Sequence, residues 1–269
     1  MNPIIYYRRS LMDKEELLAA SSNFRATSLL TDIKKGDTVI YRYSLYPFPK
    51  DIEDEILNVG AKPLNSLYEH NYVADLGNYV KDLGSLTPRT WVNLYDLPED
   101  DTSFVLKGET NSRKSNWKLD MFAVDKKAAN QVHSRLCADT LIGQQKIYIR
   151  EYVPLVSYLT GIGGIPITNE YRFFVCDGEI LCGAYYCQNY IEDLPIGIKP
   201  NVDQVPKEFL QKVIDIISPN INFFVIDVAE TKDGKWIVVE LNDGSQSGLS
   251  CNEPKVLYSR LKEVLDKRK

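Results

Sequence analysis

The sequence predicts an α+β protein with antiparallel sheets, opened by a small α/β unit. Three observations carry this reading. Strand-like runs outnumber the slots for parallel crossovers. Two turn dipeptides, Asp177-Gly178 and Asp233-Gly234, each join a pair of apolar runs. Near the start, a strand and a helix alternate.

Taken in order, MDKEELLAAS reads as a short helix, and DTVIYRYSL (37–45) alternates like a strand. PKDIEDEILNVGAKP is a helix closed by Gly60, with Pro63 beyond. These form a first unit over residues 1–85. A second, residues 86–145, holds the strands TWVNL and SFVLK (103–107), a polar loop, and the helix DKKAANQVHSRLCADTLI (125–142). The third, residues 146–269, begins at KIYIREYV and continues through YRFFV (171–175) and EILCGAYYCQ (179–188). The helix PKEFLQKVIDIIS, the hairpin around Asp233-Gly234 and the helix PKVLYSRLKEVLDKR complete it.

With 269 residues, 44% hydrophobic and 26% charged, the chain is long and apolar enough for one large core or two or three smaller ones. No run approaches the ~18–20 apolar residues of a membrane span. The first residues lack the apolar centre of a secretory signal. The five cysteines (Cys137, Cys176, Cys182, Cys187, Cys251) contain no CxxC pair, so reduced thiols and a cytoplasmic setting are expected. The two histidines, His70 and His133, are poor material for a histidine metal site or a Ser-His-Asp triad. A net charge of −5 does not favour nucleic acid as a partner.

The hairpin NFFVIDVAETKDGKWIVVELNDG (222–244) interrupts each of two apolar runs with one acid, Asp227 and Glu240. Buried carboxylates are costly unless paired. With Asp233 and Gly234 as the turn centre, counting back along both arms sets Asp227 opposite Glu240, their Cβ atoms about 4.5–5.5 Å apart. Asn242 shares their face, while Ile226, Val228, Val239 and Leu241 turn to a core. Opposed acids must share a proton or a cation. Two carboxylates and an amide oxygen suit Mg²⁺ or Mn²⁺, which completes its shell with phosphates and water. The alternative is two acids on a solvent-facing strand, each near a lysine.

A phosphate site also needs cations or backbone amides. Lys107 ends an apolar strand, and Asn111, Ser112, Arg113, Lys114 and Lys118 follow in a loop suited to folding over phosphates. Its lack of apolar surface predicts that residues 109–118 are mobile without nucleotide; an ordinary charged surface loop is the competing reading. Arg172 interrupts another apolar strand and needs an anion, which a buried salt bridge to Glu151 or Glu170 would also supply. The strand ending at Tyr152-Val153-Pro154 is either an edge offering backbone groups to an adenine or a plain core strand.

These residues, in this order, resemble the ATP-grasp superfamily. The strand-end lysine and loop (VLKGETNS) come first, then a hinge strand (IYIREYVPL) and an arginine strand (NEYRFFV). An aspartate followed after twelve residues by Glu-x-Asn closes the series. With VIYRYSLYPFP and NSRKSNWK, nearly the whole chain looks like the viral and bacterial, phage-associated members of the arginine-and-two-lysine clade. The resemblance implies two α+β subdomains gripping ATP behind a small N-terminal α/β domain. It also implies a ligase joining a carboxylate to an amine or thiol through an acyl phosphate, on a peptide or protein or on a smaller acid, releasing ADP and phosphate. By that likeness Lys107 contacts the α- and β-phosphates and Arg172 the γ-phosphate. Asp227, Glu240 and Asn242 hold Mg²⁺, and Glu151, Tyr152 and Val153 meet the adenine. Residues 244–248 face the transferred group or the acyl substrate. Two positions depart from the pattern. No aspartate–lysine pair precedes Lys107, so Lys81 or Arg89 stands in, and Tyr158 occupies the position of a ribose-binding acid.

Two other readings compete. LKGETNSR resembles the lysine motif of nucleotidyltransferases such as RNA ligases, which would trap AMP on Lys107, but Gly108 follows that lysine directly and no downstream lysine motifs appear. A nucleotide-binding protein without catalysis is the third, opposed by the complete Asp227/Glu240/Asn242 set.

Overall fold

The structure is a computed structural model that describes residues 2–45, 48–191 and 193–268. Tyr46 and Pro47 of the VIYRYSLYPFP stretch lie outside the described residues. The chain begins with β1 (Asn2–Tyr6), α1 (Lys14–Asn23), β2 (Arg25–Thr27), β3 (Asp37–Tyr41), α2 (Pro49–Asn58) and β4 (Lys62–Pro63). The four strands form one parallel sheet in the order β2-β1-β3-β4. Such a sheet offers ligands the crevice beyond its carboxyl ends, where the order reverses, here between β1 and β3. Helices α3 (Leu67–Ala74) and α4 (Leu76–Leu83) follow. The sequence reading missed both, although Ser66 and Glu69 make a full capping box at the start of α3.

The second sheet is antiparallel: β5 (Thr90–Trp91), β6 (Phe104–Gly108), β7 (Phe122–Ala123) and β8 (Ile147–Glu151), in the order β5-β8-β6-β7. Between β6 and β7 lies the short α5 (Trp117–Asp120), and between β7 and β8 lies α6 (Lys126–Cys137). The sequence reading carried α6 to residue 142, and the structure stops it earlier. Asp139 accepts the backbone N–H groups of Leu141 and Ile142 (2.9 and 3.0 Å) and opens a separate turn. This sheet and α6 enclose their own core around Phe104, Leu106, Val132 and Leu136.

The third sheet orders β12-β11-β13-β14 from β11 (Glu170–Cys176), β12 (Glu179–Tyr185), β13 (Phe223–Glu230) and β14 (Trp236–Asp243). The hairpin of β9 (Ser157–Thr160) and β10 (Pro166–Thr168) precedes it. Between β12 and β13 comes α7 (Lys207–Ile217), and α8 (Pro254–Asp266) closes the chain. One face packs on α4 and α7 through Ile226, Val228, Val213 and Ile217. The other packs on α8, α1 and the first sheet through Val225, Phe174, Leu261 and Ile40. Turn chemistry sets the strand joins, for Asp177 (φ 51°) and Gly178 (φ 78°) both take the left-handed conformation of a tight hairpin.

Asp227 does oppose Glu240, but by a different route from the expected two-residue turn. The Thr231 N–H bonds the Lys235 carbonyl, leaving a three-residue loop with Gly234 at φ 79°. Ala229 therefore faces Ile237 and Val228 faces Val238, until a bulge after Asp227 takes up one residue and restores the register. The bulge also corrects the expected face of Val239. Val238 is buried in the core, whereas Val239 lines a cavity.

Candidate functional site

Between the second and third sheets lies a cavity of about 350 Å³. Val105, Ile165, Ile167, Ile237 and Val239 give it apolar walls, and Trp117, Met121 and the strand end Glu151–Val153 line it too. Lys107, Lys114, Arg150, Glu170 and Glu240 supply charge. A cleft of this volume with a few convergent charges has the character of a small-ligand site. A second cavity, about 170 Å³, lies between β14, α3 and the loop after β6, with Ser44, His70, Glu109, Asn242 and Asp243 among its walls. Glu240 borders both.

A row of charges crosses the third sheet. Arg172 pairs across the ladder with Asp227, and Asp227 with Glu240. Arg172 holds Asp227 in a two-pronged bond, Nε to Oδ1 at 2.8 Å and Nη2 to Oδ2 at 2.7 Å. Lys107 reaches over from β6 to bond Glu240. Each acid thus has its own cation, which corrects two expectations. The opposed carboxylates need no shared ion for charge balance, and the partner of Arg172 is neither Glu151 nor Glu170. Burial alone would raise the Glu240 carboxyl. The charges of Lys107 and Lys114 overcome it and hold the group ionised, at about 2.

Asp227, Glu240 and Asn242 are an all-oxygen set fit for a hard divalent cation. No hydrogen bond from a described residue engages the Asn242 side chain, so its carbonyl is available to such an ion. Among the described residues, no group of three or more His, Cys, Asp or Glu side chains is placed to hold a metal. The trio therefore suits an ion that takes its remaining ligands from phosphate.

The loop after β6 is folded down. Arg113 forks onto Asp139 with two 2.6 Å bonds. Lys114 donates to the Tyr186 hydroxyl (2.8 Å) and lies 4.8 Å from that ring's centre and 5.4 Å from the centre of Tyr190. Burial works against the Lys114 charge, yet the surrounding Tyr186, Glu240 and Glu170 keep its pKa well above the usual lysine value. These contacts give a loop short of apolar surface definite docking points that its composition does not reveal.

Of the sequence-predicted residues, Lys107, Lys114, Glu151, Tyr152, Val153 and Glu240 line the first cavity. Asn242 lines the second. Arg172 and Asp227 line neither, because the Tyr186 ring covers Arg172 at 4.7 Å. Lys118 lies along Gly164 outside the cavity wall. Arg89 is tied to Glu151 (2.9 Å) and stacks over Trp91, away from the phosphate-side charges. The cation missed was Arg150. It is buried, donates to the Val239 carbonyl (2.5 Å) and the Thr87 hydroxyl (2.7 Å), and has an unpartnered Nε. Burial lowers its pKa. Arg150 interrupts IYIREYV as Arg172 interrupts YRFFV, so the same test would have found it. Glu170 was named only as a possible partner of Arg172. Burial pushes its carboxyl up to about 7.

Comparison with solved structures shows the same fold at low identity. D-cycloserine synthetase DcsG superposes with a TM-score of 0.63 at 12% identity, over 98% of this chain and 99% of that one. A D-alanine–D-alanine ligase from Bacillus anthracis complexed with ATP gives 0.57 at 12% identity, over 99% and 98%. The ATP-grasp ligase PsnB complexed with a minimal precursor gives 0.59 at 10% identity, over 100% and 99%. No curated protein matches the sequence. The fold is therefore ATP-grasp, with two α+β layers facing each other across the first cavity. The family model described as ATP-grasp domain, R-two-K clade family 3, matches residues 96–261, more than half of the chain, and the protein belongs to that family.

Proposed function

We propose that the protein is an ATP-dependent ligase that activates a carboxylate as its acyl phosphate and transfers the acyl group to an amine, releasing ADP and phosphate. The observation that carries this reading is the place of Glu240. It stands where an apolar, nucleotide-sized cavity meets a second cavity, paired with a lysine and beside an acid–arginine pair. In this reading Val105, Ile165, Ile167 and Val239 enclose the adenine, and residues 151–153 meet its polar edge. Lys107 and Lys114 turn from Glu240 and Tyr186 to the phosphates. Asp227, Glu240 and Asn242 hold Mg²⁺, which when bound neutralises and orients the phosphate oxygens. Arg172 stabilises charge on the transferred phosphoryl group once Tyr186 shifts aside. Lys107, Lys114 and Arg172 supply the arginine and two lysines of the viral and bacterial clade that the sequence resembles. Neighbouring structures include a ligase with ATP and one with Mg and ADP, which supports these two ligands here. A precursor-peptide ligase among them supports a peptide or protein as the acid or amine.

Incubation with Mg²⁺ and ATP, labelled at the α or the γ position in parallel, tests the reading against a panel of carboxylates and amines. Labelled ADP and phosphate are expected, with no nucleotide left on the protein. An AMP mass on Lys107 would sink the ligase in favour of a nucleotidyltransferase, in which the lysine is the nucleophile.

A further inference from the structure

Among the described residues, the second cavity is lined by three acids, Glu109, Glu240 and Asp243, and by no lysine or arginine. Of the three, Glu240 is answered by Lys107 from outside the cavity's walls. A wall of that sign attracts a cation and repels a carboxylate. It suits the amine partner, which arrives as an ammonium and must lose a proton before it attacks. His70 lines the same cavity. Its Nδ1 lies 3.1 Å from Asp243 Oδ2 and 2.9 Å from Gln246 Nε2. The Gln246 Oε1 accepts the Leu45 N–H (2.9 Å), which fixes the amide with its NH₂ toward His70. Asp243 is itself anchored, Oδ1 accepting from Asn65 (2.7 Å) and from the Ser245 N–H (2.8 Å). The carboxylate is the stronger partner. Asp243 Oδ2 calls for a proton on Nδ1, and the Gln246 NH₂ for a lone pair there. The charged acceptor decides it, with the proton on Nδ1 and the Gln246 NH₂ turned to the same carboxylate (3.5 Å). The lone pair is then on Nε2, which no described residue engages.

We propose that the second cavity is the amine site of the ligase and that His70 Nε2 takes the amine's proton. The inference rests on the ligase reading. The amine nitrogen forms a bond to the acyl carbon, the bond from that carbon to the phosphate oxygen breaks, phosphate leaves with the electron pair, and the N–H proton passes to Nε2. Asp243 positions the ring and balances the imidazolium.

The chain's two histidines, His70 and His133, allow an unambiguous test, because ring-nitrogen NMR then has two sets of signals and His70→Gln identifies one of them. The probes are methylammonium, tetramethylammonium (which has no proton to give) and acetate. The expected result is an unprotonated Nε2 on His70 that shifts saturably with methylammonium and stays put with the other two. A protonated Nε2, no saturable response, or an equal response to acetate overturns the proposal. A second arm uses whichever acid supports ADP release. His70→Gln should lower amide formation by about 10²-fold, while hydroxylamine, largely neutral at pH 7, still yields hydroxamate within tenfold of the parent enzyme. Equal losses with both nucleophiles make His70 structural. If no acid gives ADP while methylammonium still shifts Nε2, the ligase reading fails and the cation site stands.

Discussion

Two buried arginines hold the two ends of residues 244–248. Arg42 donates to the Gly244 carbonyl (2.8 Å) and Arg172 to the Gly248 carbonyl (2.9 Å). Their other contacts differ. Arg42 is closed in by Glu16 (2.7 Å) and the Tyr258 hydroxyl (2.9 Å), inside the core joining α1, α8 and the first sheet. Arg172 lies under the Tyr186 ring, whose hydroxyl is bound to a lysine of the first cavity. Both ends are electrostatically satisfied, yet the cover over Arg172, the Tyr186 ring, itself lines the first cavity. Burial and pairing do not by themselves separate a structural ion pair from a functional one; the difference here lies in the cover, core packing over Arg42 and a cavity-lining ring over Arg172.

The sharpest way to break this contrast is at the closed end. Arg42→Ala leaves Glu16 as an unpaired buried acid, and such losses cost about 3–5 kcal/mol. Chemical denaturation should show that loss, and melting should fall by roughly 10 °C. Combining Arg42→Met with Glu16→Gln should recover much of it. A melting temperature unchanged in Arg42→Ala would erase the distinction between the two arginines.

At the open end the expected order reverses, with activity lost before stability. Glu240→Gln should lower ADP release by about 10²–10³-fold and move the melting temperature by only a few degrees, since Lys107 borders a cavity that water can enter. Asp227→Asn should damage both, because Arg172 loses the carboxylate that grips it with two bonds. Two opposed acids without cations of their own would instead predict that either change relieves repulsion and leaves folding intact. Melting curves of the two variants, run side by side, decide between the arguments.

The sequence showed the large pattern and hid its means. Asp227 faces Glu240 as counted, although the count used the wrong turn and a bulge after Asp227 compensated. Patterning cannot show a bulge, because Val238 and Val239 are equally apolar. Lys107 and Arg172 stood out as charges breaking apolar strands, and Arg150 broke one in the same way unnoticed. Tyr186, Glu170 and the pairing of His70 with Asp243 gave no local signal. Their roles arise from contacts across long stretches of chain, and an aromatic or acid in a mixed segment is ordinary until its neighbours are known. Helices α3 and α4 escaped because LYEHNYVA and LGNYVKDL are short, although their caps at Ser66 and Asp75 were readable.

Glu170 sharpens the comparison by pH. Its carboxyl, raised by burial from 4.5 to about 7, is protonated in the folded protein where the unfolded chain has already ionised. Its contribution to stability is therefore full below about pH 4.5 and lost as pH rises through about 7. The effect is on the order of 3 kcal/mol at most, because Lys114 shares the site. Denaturation midpoints from pH 4 to 8 should decline less steeply in Glu170→Gln than in the parent. Parallel slopes would mean that the carboxyl is ionised throughout, held by Lys114 as firmly as Glu240 is held by Lys107.

The smallest effect is expected at Gly163, where the loop after β6 docks on the turn between β9 and β10. Gly163 has φ 66°, and a Cβ there would lie 2.0 Å from the Ser115 carbonyl oxygen. Gly163→Ala therefore carries two penalties, left-handed strain of about 1 kcal/mol and a collision that pushes the loop off its seat. Gly36 has φ 86° with nothing within 4 Å of an added Cβ, so Gly36→Ala carries the strain alone. Gly163→Ala should lose more stability than Gly36→Ala only by what the seated loop contributes, which is small. The difference should appear in Gly163→Ala as faster protease cleavage within residues 109–118 and about tenfold weaker binding of a nonhydrolysable ATP analogue, equivalent to about 1.4 kcal/mol. If the loop is already undocked before nucleotide arrives, as its composition predicts, free Gly163→Ala will be cleaved no faster than the parent. Only the nucleotide-bound rates will then differ, which would place the docking after binding. Equal cleavage and equal affinity in both alanine variants would remove the seat altogether and leave Lys114, with its two tyrosines, as what holds the loop over the cavity.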